Sequence, residues 1–125
     1  MNENAKKILI IEDDPHVSKV FQIQLAKVGF NVALAYDGEE ALPVLEREKP
    51  DLVILDLMIP KKDGFFVLEG IRKNPLFQKI PIIVTSNLGQ KNDEVRALEL
   101  GATEYFIKID HPIQEIIDKV VSYLK

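Results

Sequence analysis

Leu52-Val53-Ile54-Leu55-Asp56 decides the reading of this chain: a continuous apolar run that ends on a carboxylate. Four apolar residues in a row, bounded by Pro50-Asp51 before and an acid after, read as a strand covered on both faces rather than one that alternates between core and water. Ile8-Leu9-Ile10-Ile11 has the same character and is followed by Glu12-Asp13-Asp14. Further strands are expected over Asn31 to Ala35, Ile80 to Val84 and Glu104 to Ile107.

Between these runs the apolar spacing becomes helical. Val17, Val20, Phe21, Ile23, Leu25 and Val28 form a broad stripe, with Asp14 as its cap, Pro15 in its first turn and Gly29 as its stop. A second helix is expected from Asp37 to about Glu48, kinked or broken early by Pro43. A third runs from Gly64 to about Lys73 and a fourth from Asp93 to Leu100, closed by Gly101. The last, Pro112 to Leu124, carries Ile113, Ile116, Ile117, Val120, Val121 and Leu124. Leu98, Leu100 and the helical stripes are expected in the core. Five strands, each followed by a helix, specify an α/β fold with a parallel sheet covered on both faces. The natural arrangement is a doubly wound, flavodoxin-like sheet in the order 2-1-3-4-5.

The bulk properties agree. A chain of 125 residues suits a single domain. The net charge of −4 and isoelectric point near 5.2 disfavour direct nucleic-acid binding. There is no cysteine, which excludes disulfides and thiolate metal sites and suits a cytoplasmic protein. The polar N-terminus is no signal peptide, and no apolar run approaches a membrane span.

Open α/β sheets bind ligands beyond the carboxyl ends of their strands. The residues expected there are Glu12-Asp13-Asp14 after strand 1, Asp56 at the end of strand 3, Thr85-Ser86 after strand 4 and Lys108 after strand 5. The strand order gathers acids, a hydroxyl and an ammonium at one edge. Clustered carboxylates repel unless a cation neutralises them. Mg²⁺ suits such a site because it takes one or two carboxylates and completes its shell with water and phosphate oxygens. A carboxylate can also be a nucleophile that forms an aspartyl phosphate. Each residue has a plainer reading beside this one. Asp56 can end a strand, Glu12-Asp13 can be a solvated turn, Thr85 can satisfy a strand-end group and Lys108 can be a surface lysine. Asp14 is better explained as a helix cap than as a ligand, and His16 and His111 as surface residues.

Taken in order, Ile10-Ile11-Glu12-Asp13-Asp14, Asp56-Leu57-Met58-Ile59-Pro60-Lys61-Lys62-Asp63-Gly64, Val84-Thr85-Ser86 and Gly101-Ala102-Thr103-Glu104-Tyr105-Phe106-Ile107-Lys108 resemble the receiver domain of two-component response regulators. The likeness is to the stand-alone, chemotaxis-regulator-like kind, and it spans about Lys7 to Leu124; a single domain without an output domain is therefore expected. It implies that Asp56 is the phosphoacceptor. It implies that Asp13, Asp56 and the backbone carbonyl of Met58 hold Mg²⁺ or Mn²⁺, with Glu12 acting through water. Thr85 and Lys108 then contact the phosphoryl group, and Tyr105 is the switch aromatic.

The same likeness implies a histidine kinase or histidine phosphotransfer protein as donor in a phosphorelay. A downstream protein partner is implied on the face of helix 4, strand 5 and helix 5. The chain is then a phosphoacceptor signalling domain that assists its own phosphorylation and dephosphorylation, not a dedicated enzyme. One departure stands out: Ile109 follows Lys108 where the family usually has proline, with a cis bond before it. A cis bond before a non-proline residue costs roughly 2.5–4 kcal/mol. Either a trans bond with a rebuilt loop or a strained cis bond is therefore expected.

Other readings are weaker. A flavin phosphate is repelled by Glu12-Asp13-Asp14-Pro15. An aspartate-based phosphatase needs a second acid where Met58 stands. A nucleotide hydrolase needs a P-loop, and none is present. A degenerate receiver that acts as a phosphorylation-independent binding module is supported only by Ile109.

Overall fold

The computed structural model describes residues 4–87, 91–108 and 110–125. Five parallel strands form one sheet in the order β2-β1-β3-β4-β5. They are β1 (Lys7–Ile11), β2 (Asn31–Ala35), β3 (Leu52–Asp56), β4 (Ile82–Ser86) and β5 (Glu104–Ile107). The helices are α1 (Pro15–Lys27), α2 (Ala41–Glu48), α3 (Gly64–Lys73), α4 (Lys91–Glu99) and α5 (Ile113–Leu124). A short 3₁₀ turn, Pro75–Phe77, follows α3. This is the expected doubly wound topology.

Each central strand sends alternate side chains to opposite faces. Leu9, Ile11, Val53, Leu55, Ile82 and Val84 pack with α2, α3 and Ala97 of α4. Ile8, Ile10, Leu52, Ile54 and Ile83 pack with Phe21 and Leu25 of α1 and with Ile116, Ile117 and Val120 of α5. All five residues of β3 and of β4 are buried, whereas the edge strands β2 and β5 are mostly half-exposed. That is why the sequence of β3 is apolar up to Asp56.

The expected α1 start is correct: the Asp14 carboxylate accepts from the His16 amide at 2.9 Å, and Pro15 opens the helix. Gly29 follows α1 with φ of +103°, a left-handed conformation that glycine adopts without strain.

Several boundaries differ from expectation. Helix α2 begins at Ala41, not Asp37, because the Asp37 carboxylate accepts from the Glu39 and Glu40 amides and holds a separate turn there. Pro43 is consequently the third residue of α2. Its missing N–H falls where no intrahelical partner exists, so it neither kinks nor breaks the helix. Strand β4 runs Ile82–Ser86 instead of Ile80–Val84, so Thr85 and Ser86 lie within the strand. Pro81 precedes it and lacks the donor a central strand needs. Helix α4 covers Lys91–Glu99, and α5 starts at Ile113 with Pro112 as its cap.

Not every apolar helical residue is core. Val20 and Ile23 of α1 and Val95 and Leu98 of α4 are exposed. Helix α4 buries only Ala97, and Leu100 is partly buried beyond its end. A helix lying on a sheet covers a narrower arc than the broad stripes in these sequences. No described helix is long and apolar enough to cross a membrane.

Candidate phosphoacceptor and metal site

The carboxyl ends of β1, β3, β4 and β5 meet at one edge of the sheet. Asp56, the last residue of β3, pairs in register with Thr85 of β4, and both are buried. Glu12 follows β1 and is only 3% exposed, whereas Asp13 beside it faces solvent. Oxygens of Glu12, Asp13 and Asp56 all lie within 4.8 Å of one another. Lys108, just past β5, reaches into the cluster. Its ammonium donates to Glu12 Oε1 at 2.6 Å and to Asp56 Oδ2 at 2.9 Å.

Local bonds fix the two buried carboxylates. Asp56 Oδ1 accepts from the Met58 amide at 2.9 Å, and Glu12 Oε2 accepts from the Asp14 amide at 3.2 Å. The Leu57 amide donates to the Thr85 carbonyl at 3.3 Å, and the Lys108 amide to the Ser86 carbonyl at 2.8 Å. The strand ends that carry Asp56, Thr85 and Lys108 are thereby tied together.

The electrostatics show strain in the acid cluster. Burial is the largest influence on Glu12. With the Asp56 charge, and against the pull of Lys108, it holds the carboxyl at about 7. Burial alone would lower Lys108, but its bonds to Glu12 and Asp56 and their charges outweigh this and raise it, so it stays a cation. One ammonium pairs with Glu12 and Asp56, and Asp13 lies beside them, which leaves an excess of acidic oxygen donors. Such a donor set fits a hard divalent cation.

The structure brings together Glu12, Asp13, Asp56, Thr85 and Lys108. Met58 sits two residues beyond Asp56 with its side chain 56% exposed, so only its backbone is set by the site. Tyr105 is half-buried against the α3-side core and hydrogen-bonded to Ser86, and burial raises its phenol. His16 is exposed as expected. His111 is only half-exposed, because it stands edge-on to Phe106 and pairs with Glu115 at 2.5 Å. The Lys108–Ile109 bond lies outside the described residues.

Sequence reasoning missed the direct pairing of Lys108 with Glu12, and the Tyr105–Ser86 contact. No local signal marks the first, because the partners are 96 residues apart and meet only through the strand order.

The profile of the response regulator receiver domain matches residues 8–120. The chain belongs to this family. As a receiver domain it is similar to the "Probable transcriptional regulator ycf27" of Cyanophora paradoxa, with 39% identity over 125 residues, covering 100% of this chain and 51% of that protein. The receiver thus spans about half the length of this relative. Among solved structures it resembles the BeF3-activated N-terminal receiver domain of Klebsiella pneumoniae RstA, with 32% identity and a TM-score of 0.87. That match covers 96% of this chain and 99% of the other. It also resembles the Mn²⁺-bound form of the response regulator Rcp1, with 28% identity, a TM-score of 0.79, and coverage of 96% of this receiver and 95% of the other.

Proposed function

We propose that this receiver accepts a phosphoryl group on Asp56 from a histidine kinase or a histidine phosphotransfer protein, and switches a protein-binding surface in response. The observation that carries the reading is the set of contacts at Asp56. One buried carboxylate is held by a backbone amide, paired with an ammonium and flanked by two further acids.

Asp56 Oδ attacks the phosphorus of a phosphohistidine in line. The P–N bond breaks, its electron pair stays on the imidazole and an aspartyl phosphate forms. Lys108 neutralises charge on the transferred group, and the buried Thr85 hydroxyl supplies a hydrogen bond. Asp13, Asp56 and the Met58 carbonyl would hold Mg²⁺ or Mn²⁺, with Glu12 contributing through water; the bound ion supplies further charge neutralisation at the phosphoryl oxygens. The Mn²⁺-bound and BeF3-activated relatives support both parts of this reading.

The response would pass from Thr85 and Lys108 to β5 and the neighbouring helices. Tyr105 serves as the switch aromatic, already turned toward Ser86. Val95 and Leu98 of α4 and Tyr123 of α5 expose large side chains and mark the face for a downstream protein partner. The domain acts in the cytoplasm as a signalling element and assists its own phosphorylation and dephosphorylation without being a dedicated enzyme. It does not itself contact nucleic acid.

The test is intact mass after incubation with Mg²⁺ and acetyl phosphate, beside an Asp56→Asn variant and a sample with EDTA. A gain of one phosphoryl group that needs both Asp56 and Mg²⁺ is expected. No gain in folded protein with several donors refutes the reading and favours a phosphorylation-independent binding module.

A further inference from the structure

The loop after Asp56 is braced from outside by the turn between β2 and α2. The Gly38 amide donates to the Pro60 carbonyl at 3.0 Å. The approach is so close that a Cβ on Gly38 would lie 1.7 Å from the Lys62 carbonyl oxygen. Beside this backbone contact, Lys61 reaches Asp37 at 3.2 Å and Glu39 at 3.9 Å. Asp37 is itself locked by the Glu39 and Glu40 amides, so the anchor is rigid.

Lys61 adopts a φ of +73°. A residue with a Cβ rarely occupies this region, and a glycine would do so without strain. Nothing local to the turn favours lysine there. Its gain is the reach of its ammonium to the β2–α2 turn.

The base of the loop is closed by other contacts. The Gly64 amide donates to the Leu57 carbonyl at 3.0 Å, and Ile59 is buried in the core. Met58 lies between Leu57 and Ile59 of that base, two residues before the braced Pro60.

We infer that Lys61 and Gly38 are positioning residues, which hold the loop tip against the β2–α2 turn and so steady the Met58 backbone for its proposed part in the metal site. The inference rests on the proposed metal site. The brace acts through the loop and touches neither metal nor phosphoryl group.

The test measures Mg²⁺ affinity by calorimetric titration, and metal-free stability by thermal unfolding, on the full chain. The variants are Lys61→Met, Lys61→Gly, Lys61→Arg and Asp13→Asn. Lys61→Met should weaken Mg²⁺ binding about tenfold, the low end for outer-shell partners of a metal. Lys61→Arg should retain it. Lys61→Gly should weaken binding while remaining at least as heat-stable as the natural chain, because it relieves the left-handed strain.

The sign is diagnostic. Removing a cation near a divalent ion strengthens binding on charge alone, so unchanged or tighter binding by Lys61→Met overturns the inference. A fall in unfolding temperature with unchanged affinity also overturns it, since the brace is then only structural. If the natural chain binds Mg²⁺, Asp13→Asn abolishes this and Lys61→Met does not alter it, the inference alone fails. If the natural chain binds no Mg²⁺, the metal-site reading fails with it.

Discussion

Gly64→Ala should damage both the stability and the chemistry of this domain, while Gly70→Ala on the same helix should be nearly silent. At Gly64, the first residue of α3, a Cβ would lie 2.4 Å from the Leu57 Cα and 3.0 Å from the Asp56 carbonyl oxygen. Ordinary contact begins near 3.4 Å, so the backbone just after Asp56 must move by about 1 Å. Overpacking costs ~1–3 kcal/mol, and the upper half applies because backbone cannot rotate away. At Gly70 the nearest atom, at 2.6 Å, is the terminal Cδ1 of Leu42. That side chain can twist about 30° off its rotamer for ~0.5–1.5 kcal/mol. The gain of ~1 kcal/mol from alanine in a helix interior offsets it. Urea unfolding in EDTA should therefore separate the two variants by ~2 kcal/mol, or a midpoint difference of about 1 M. Mass spectrometry after acetyl phosphate treatment should show slowed phosphorylation of Gly64→Ala only. Equal stabilities, or Gly70→Ala the less stable, would refute the steric reasoning.

Three further expectations concern the metal, Arg72 and Tyr123. Mg²⁺ at a hundred times its dissociation constant should stabilise the domain by ~2.7 kcal/mol in thermal unfolding, and Asp13→Asn should remove that gain. Arg72 donates to the Gly101 carbonyl through two nitrogens, at 2.9 and 2.7 Å, and to the Phe77 carbonyl at 2.9 Å. Arg72→Met leaves these acceptors without it and should cost ~1–3 kcal/mol in urea unfolding, and Arg72→Lys should restore only part, lacking the fork. Tyr123 donates to Glu104, which with burial and the carboxylate charge pushes its phenol up to about 12 from an ordinary 10.0. That contribution to stability is present at neutral pH and is lost as pH rises through about 12. An absorbance titration of Glu104→Gln should show Tyr123 ionising earlier, and an unchanged curve would count against the pairing.

The parts of the fold legible in the sequence are those fixed by burial. β3 and β1 announce themselves because strands covered on both faces are apolar until they reach the site, and five strands with helices between them leave one natural order. The acids, Thr85 and Lys108 could be placed at one edge for the same reason. What the sequence hides depends on approach between distant segments. The α2 start moved because Asp37 holds a turn of its own, and Pro43 became harmless only once that start was known. Val20, Ile23 and Leu98 look like core by spacing, yet the arc each helix buries is set by its seat on the sheet. The Gly38–Pro60 contact has no signature beyond a glycine between two acids and a tyrosine, because its partner arrives from another loop.

The position of Lys108 links the site's resting state to its chemistry. Its ammonium lies on Asp56 Oδ2, the oxygen not engaged by the Met58 amide. On the proposed function, a phosphoryl group arriving at that oxygen would bring new negative charge to a cation already in place, so little reorganisation would be required. Glu12 provides the second hold on the same ammonium, at 2.6 Å. It is also the acid most burdened by burial, held at about 7. Lys108 thus stabilises two buried carboxylates that would otherwise repel each other, and a divalent cation beside Asp13 would take over part of that duty. Such a cation, held by Asp13 and Asp56, would supply charge neutralisation that Lys108 alone provides here. Because the Lys108 amide is bonded to the Ser86 carbonyl, and Ser86 in turn holds Tyr105, Lys108 is tied through the end of β4 to Tyr105.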